Sequence, residues 1–194
     1  MKISDVDIVI VPGWQNSGPE HWQARWANSF KTARRVVQDD WDNPDRDAWT
    51  KRIAETVSKT ERPVVIVAHS LGVPAVVFAG EALAETNVIG AFLVAPADLD
   101  HAAFWPDTGG ERWPPDGGDG GYNQMPDAKL PFRAHLIVGN NDLYCSLARA
   151  EKLAALWGAT LVDAGETGHI NVASGHGPWP EGVLQFGKFL RELG

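Results

Sequence analysis

The residues Val64-Val65-Ile66-Val67-Ala68-His69-Ser70-Leu71-Gly72 form an apolar run that stops at a serine flanked by small residues. β-Branched side chains dominate the run and Pro63 precedes it, the pattern of a strand buried on both faces. Residues 73–83 stay apolar without strand alternation and carry Pro74 where a first helical turn tolerates it, so they predict a helix. Ser70 therefore falls on a strand-to-helix turn. A serine hydroxyl is a poor nucleophile at neutral pH and needs a neutral imidazole to take its proton. The imidazole in turn needs a carboxylate to fix its tautomer and stabilise the cation that forms. Asp142, in Gly139-Asn140-Asn141-Asp142, and His169, closing Gly165-Glu166-Thr167-Gly168-His169, supply those two groups after further apolar runs. Taken singly, each is an ordinary turn or surface residue. At consecutive strand ends, in the order Ser, Asp, His, the three predict acyl transfer.

Acyl transfer also needs donors for the oxygen that gains charge. The backbone N–H of Leu71 is one candidate. The N–H of Trp14, in Pro12-Gly13-Trp14 after an early strand, is the other, although Pro-Gly-x is also an ordinary strand-ending turn. Among the other histidines, His69 is expected to point to the other side of the turn. His176, in Ser174-Gly175-His176-Gly177, lies several residues past its strand and is a less natural base, while His21, His101 and His135 read as structural or surface residues. Cys145 reads as a buried small residue at a helix start rather than a regulatory thiol. One cysteine and scattered histidines make no zinc site. Asp39, Asp40, Asp42, Asp45 and Asp47 lack calcium-loop spacing, so they read as a solvated loop with carboxylates at a helix N-terminus.

The elements that must position these groups alternate along the chain. Strands are predicted at residues 6–11, 35–38, 64–70, 88–95, 134–138 and 159–162. Helices intervene. The first has Ser17 and Glu20 as a capping box and Trp22, Trp26 and Phe30 as a core stripe. The second is capped by Asn43-Pro44 and buries Trp49, Ile53 and Val57. Another spans 146–157 and is closed by Gly158, and the last starts near Trp179-Pro180 with Val183, Phe186, Leu190 and Leu193 on one face. Strands alternating with helices along the whole length predict a single α/β domain over residues 1–194, with a mainly parallel sheet of about six strands and helices on both faces. Residues 97–129, rich in glycine, proline and tryptophan, read as an insertion over the strand ends, either a partial lid or a loose excursion. Their glycines are no phosphate loop, since no strand-loop-helix frame with a following lysine surrounds them.

The 194 residues suffice for one substantial core without disulfides or metals. A formal net charge of −8 argues against nucleic acid or an anionic membrane as partner, because both recruit basic patches. No apolar run reaches the length of a membrane span. The first residues carry charges where a signal peptide needs an apolar region, and one cysteine allows no intramolecular disulfide, so a cytoplasmic protein is the expectation. Nine tryptophans suit a tight core and an aromatic-lined cleft.

The wording Ala68-His69-Ser70-Leu71-Gly72 departs from the G-x-S-x-G nucleophile elbow of α/β-hydrolases only at Ala68, which is still small. Together with Pro12-Gly13-Trp14, His21-Trp22-Gln23, Asp40-Trp41 and Pro44, Val94-Ala95-Pro96, Asn141-Asp142, Trp157-Gly158-Ala159, Gly168-His169-Ile170-Asn171, Ser174-Gly175 and Trp179-Pro180, it resembles the small serine hydrolases related to retinoblastoma-binding protein nine and bacterial YdeN. The resemblance covers nearly the whole chain. It implies a three-layer α/β-hydrolase without a separate cap domain, no cofactor, and a triad on Ser70, Asp142 and His169. Leu143 stands where that family often has proline, and the glycine-rich stretch 109–121 is longer than the resemblance leads one to expect.

The leading expectation is a serine hydrolase acting on a small-molecule ester, thioester or activated amide. The alternative is a binding module that keeps the hydrolase fold and contacts a protein partner through its loops or tryptophans. Lyase or perhydrolase chemistry on the same fold is a third reading, and an aspartate-nucleophile dehalogenase is disfavoured by the serine.

Overall fold

The apolar run from Val64 builds the middle of the sheet. A computed structural model describes residues 1–100 and 120–194. Among the described residues, the strands are β1 (Asp7–Val11), β2 (Ala33–Arg35), β3 (Val64–Ser70), β4 (Val88–Pro96), β5 (Arg133–Val138) and β6 (Thr160–Asp163). They form one sheet in the order β2-β1-β3-β4-β5-β6, with every pairing parallel. The helices are α1 (Trp22–Ser29), α2 (Arg46–Val57), α3 (Gly72–Phe78), α4 (Gly80–Leu83), α5 (Leu147–Trp157) and α6 (Pro180–Leu193).

A strand's side chains alternate between faces, and both faces of β3 are covered. Val64, Ile66 and Ala68 join the core built with Trp49, Ile53, Val76, Leu153 and Trp157, from α2, α3 and α5. Val65 and Val67 join the other core, with Trp22 and Trp26 of α1 and Phe186, Phe189 and Leu190 of α6. The expected core stripe on α1 is therefore present, and Trp26 stacks on Trp179 with ring centroids 6.0 Å apart. The chain runs from β1 outward to β2 and then returns to β3 on the other side of β1. In an open parallel sheet this reversal leaves a crevice beyond the carboxyl ends of β1 and β3.

Several boundaries differ from expectation. Ser17 does not cap α1; its hydroxyl donates to Gln23 Oε1 at 2.7 Å, and His21 caps the helix instead, its side chain accepting from the Gln23 N–H. Gln23 is fully buried and donates onward to the carbonyls of Val11 and Val67, so a tertiary demand sets where the helix begins. α2 is capped by Asp45, which accepts from the Ala48 N–H at 2.8 Å, rather than by Asn43. β2 lies two residues earlier than the Val36-Val37 signal because it pairs with Ile8–Ile10, leaving Val37 63% exposed. The single helix expected after Ser70 is interrupted at Ala79, where ψ is −7°. Gly158 closes α5 as expected, with φ +69°, while Ser146, expected as the first helical residue, is its N-cap. The expected 97–129 insertion falls mainly on residues 101–119, outside the described residues, as does His101. Among the described residues no helix is long and apolar enough to cross a membrane.

Candidate active site

β3 delivers Ser70 to the end of the sheet in a conformation few side chains adopt. Its φ is +55°, in the left-handed region, where a non-glycine residue is strained unless its surroundings impose the geometry. The surroundings do so by close approach. A Cβ on Gly72 would lie 2.6 Å from the carbonyl oxygens of both Val11 and Pro12, so only glycine lets the turn press against the end of β1. A Cβ on Gly13 would lie 2.8 Å from Ser70 Cβ and 3.1 Å from the Leu71 nitrogen, which places the loop after β1 directly over the serine.

The loops after β5 and β6 bring the partners. His169 Nε2 is 2.9 Å from Ser70 Oγ, and His169 Nδ1 is 2.8 Å from Asp142 Oδ2. The Asp142 side chain is fully sealed from solvent. Its other oxygen accepts from the Tyr144 N–H at 2.8 Å, so both oxygens are engaged and the carboxylate is fixed in orientation. A carboxylate can only accept here, so Nδ1 carries the proton and Nε2 is left to accept from the serine hydroxyl. Asn141 Oδ1 accepts from the Gly168 N–H at 2.7 Å and ties the two loops together.

A second layer of histidines lies beneath this chain. His69 does not turn away from the site: its Nε2 donates to the His169 carbonyl at 2.9 Å, and the two rings are 5.0 Å apart. Burial first, then the charges of His21 and His169, hold the His69 imidazole neutral, well below its usual pKa. His21 follows at a ring distance of 4.8 Å, its Nδ1 accepting from Gln23 at 3.2 Å. Its pKa is pushed down to about 4, by burial first and then by the charges of His169 and Arg35. Trp22 Nε1 donates to the Ile170 carbonyl at 2.8 Å, so α1 also holds the loop that carries His169.

A cleft of about 180 Å³ opens over Ser70, with Trp14, Asn16, His21, Leu71 and Tyr144 in its walls. The predicted donor residues Trp14 and Leu71 are thus beside the serine. Beyond His169 a second groove of about 300 Å³ is lined by Leu143, Tyr144, Asn171 and Ala173. The structure brings Ser70, Asp142 and His169 together and leaves His176 on Ser174 Oγ at 3.1 Å and His135 on Glu192 at 2.9 Å. Cys145 is buried, and burial, then Asp98 and Asp142, push its thiol up to about 12, far from a reactive thiolate. Asp40 accepts from the backbone of Asp42 and Asn43, a local turn rather than a cation cage. Among the described residues no cluster of three or more histidines, cysteines or carboxylates could hold a metal ion.

Such a chain can take a proton from the serine, hold it on the imidazole and return it to a leaving group. Comparison with known proteins points the same way. A family model described as serine hydrolase matches residues 8–188. Among solved structures, a YdeN-like hydrolase from Pectobacterium atrosepticum is 31% identical, with a TM-score of 0.81 over 98% of this chain and 94% of that one. The ydeN gene product of B. subtilis is 17% identical, with a TM-score of 0.66 over 97% and 98% of the two chains. The esterase domain of a Rhodothermus marinus protein is 14% identical, with a TM-score of 0.67 over 100% of this chain and 89% of that one. These last two share the fold. Comparison with curated proteins yields no match.

Proposed function

The chain belongs to the serine hydrolase family, and on that footing we propose that it cleaves small carboxylic esters, thioesters or activated amides through Ser70, His169 and Asp142. The observation that carries this reading is the unbroken path from Asp142 Oδ2 through both nitrogens of His169 to Ser70 Oγ, with contacts of 2.8 and 2.9 Å. Ser70 Oγ attacks the acyl carbon while His169 Nε2 takes its proton. Asp142 stabilises the imidazolium, and the backbone N–H groups of Leu71 and Trp14 receive the oxyanion. The bond to the leaving group then breaks as His169 passes the proton to it. Water, activated by the same imidazole, releases the acid from Ser70. No step calls on a cofactor or a metal, and the partner is the acyl substrate itself. The single buried Cys145 suits a reducing, cytoplasmic setting.

A binding module has no use for a strained serine whose hydroxyl rests on an imidazole, which favours catalysis over that reading. A fluorophosphonate probe should label the wild-type protein on Ser70. Ser70→Ala should abolish labelling and lower kcat on p-nitrophenyl acetate by about 10⁴-fold or more. Absence of labelling alongside a control esterase that reacts would refute the assignment.

A further inference from the structure

We infer that the substrate joins a short acyl group to a bulky apolar alcohol, the alcohol lying in the groove beside Leu143. The inference rests on the acyl-transfer reading above and adds the direction in which the substrate lies. In the first half-reaction Ser70 Oγ bonds to the acyl carbon while that carbon's bond to the leaving oxygen breaks. The proton that His169 Nε2 took from Ser70 passes to that oxygen, which departs as the alcohol. Proton transfer works only within hydrogen-bond reach, so the leaving oxygen sits at His169 Nε2 and the rest of the alcohol extends past the imidazole.

Two spaces meet at that imidazole, and they differ in size and lining. The cleft holding Ser70 is about 180 Å³ and includes Gly13, Asn16 and His21 in its lining. That is below the range of about 300–1,000 Å³ that encloses drug-sized ligands, so it suits an acetyl- to butyryl-sized group. The groove of about 300 Å³ shares Tyr144, His169 and Asn171 with the cleft but not Ser70, and adds Leu143 and Ala173. Tyr144 lies with its ring 4.2 Å from that of His169 and lines both spaces, an aromatic surface shared between them. Leu143, in the groove's wall, is 72% exposed, a large apolar side chain left in water. Leu143 directly follows the carboxylate that orients His169, so the backbone fixing Asp142 also fixes this wall.

Three esters separate the two ends of the substrate. Naphthylmethyl acetate and ethyl acetate share the acyl group and have leaving alcohols of similar acidity, while naphthylmethyl octanoate changes only the acyl group. For the wild-type protein, kcat/KM should be about tenfold or more higher for naphthylmethyl acetate than for either of the other two. Leu143→Gln, neutral and on the surface, should shrink the naphthylmethyl-to-ethyl ratio about threefold or more, and Leu143→Phe should hold or raise it. Wild-type hydrolysis that depends on Ser70 but prefers ethyl acetate or the octanoate would overturn this assignment alone. So would a Leu143→Gln protein with an altered acetate-to-octanoate ratio and an unchanged leaving-group ratio. Hydrolysis of all three esters that survives Ser70→Ala would overturn the acyl-transfer reading and this inference together.

Discussion

Replacing Gly13 by alanine tests whether the loop after β1 is part of the machinery or only a turn near it. Gly13 is not among the residues with left-handed φ, so alanine meets no backbone penalty there and the whole effect is collision. The new Cβ would start 2.8 Å from Ser70 Cβ, 3.0 Å from the His69 carbonyl oxygen and 3.1 Å from the Leu71 nitrogen. Carbon atoms rest about 3.5–4.0 Å apart, so the loop or the serine turn must give by about 0.7 Å or more. If the serine moves, Oγ leaves the imidazole that now sits 2.9 Å away. If the loop moves, the Trp14 and Leu71 N–H groups spread apart. A misplacement of about 1 Å costs about 10²-fold, and loss of one oxyanion donor about 10²–10³-fold. Gly13→Ala should therefore lower kcat/KM for p-nitrophenyl acetate by about 10²–10³-fold. Overpacking should cost about 1–3 kcal/mol of stability, small enough that the domain stays folded. Circular dichroism with a thermal melt confirms folding, and the rate of fluorophosphonate labelling reports on the serine directly. A folded Gly13→Ala protein whose kcat/KM and labelling rate stay within about fivefold of wild type would refute the reasoning, since it would mean the loop yields without disturbing the serine or its donors.

Two further outcomes follow from the histidines beneath the site. His69→Leu removes the donor to the His169 carbonyl and should lower kcat by about 10–100-fold with little change in KM, while His69→Gln, which keeps an N–H, should recover much of the loss; equal losses in both variants would reject the hydrogen bond as the cause. His21 has a folded pKa of about 4 against 6.5 for the free side chain, so between those values the unfolded chain binds more protons and stability falls as pH falls. The contribution lost across that window is about 3 kcal/mol. Urea titrations should show the slope in wild type and a flatter one in His21→Asn, which keeps a helix-capping oxygen; an unchanged slope would assign the effect elsewhere.

The central strand and the positions of Ser70, Asp142 and His169 were legible because each rests on a local signal. A short β-branched run with no polar face and a proline before it reads as a strand covered on both sides, and Ser70 ends that run while Asp142 and His169 lie in the loops after β5 and β6. Gly158 was legible for the same reason, since a cap is satisfied within a few residues of itself. What escaped the sequence depends on contacts far along the chain. Ser17-Gly18-Pro19-Glu20 has the spacing of a capping box, yet Ser17 is claimed by Gln23, and Gln23 by the carbonyls of Val11 and Val67. The valines at 36 and 37 are better strand formers than the residues before them, but an edge strand extends only where its neighbour offers partners, and β1 offers Ile8–Ile10. His69 had one usable signal: adjacent to Ser70 on a strand, it must leave by the face that α1 and α6 cover. That it would find the carbonyl of His169 there could not be read, because the approach of the two loops is set by the whole sheet.

The hydrogen bond between His69 and the His169 carbonyl spans 100 positions, and that between Trp22 and Ile170 spans 148. Both are made to the loop between β6 and α6, so the geometry around Ser70 depends on contacts that close across more than half of the sequence. A chain in which that loop has not docked would hold Ser70 without His169 beside it. Under the proposed reading, hydrolysis requires the segment after β6 to be docked and is lost at the first partial unfolding that frees it.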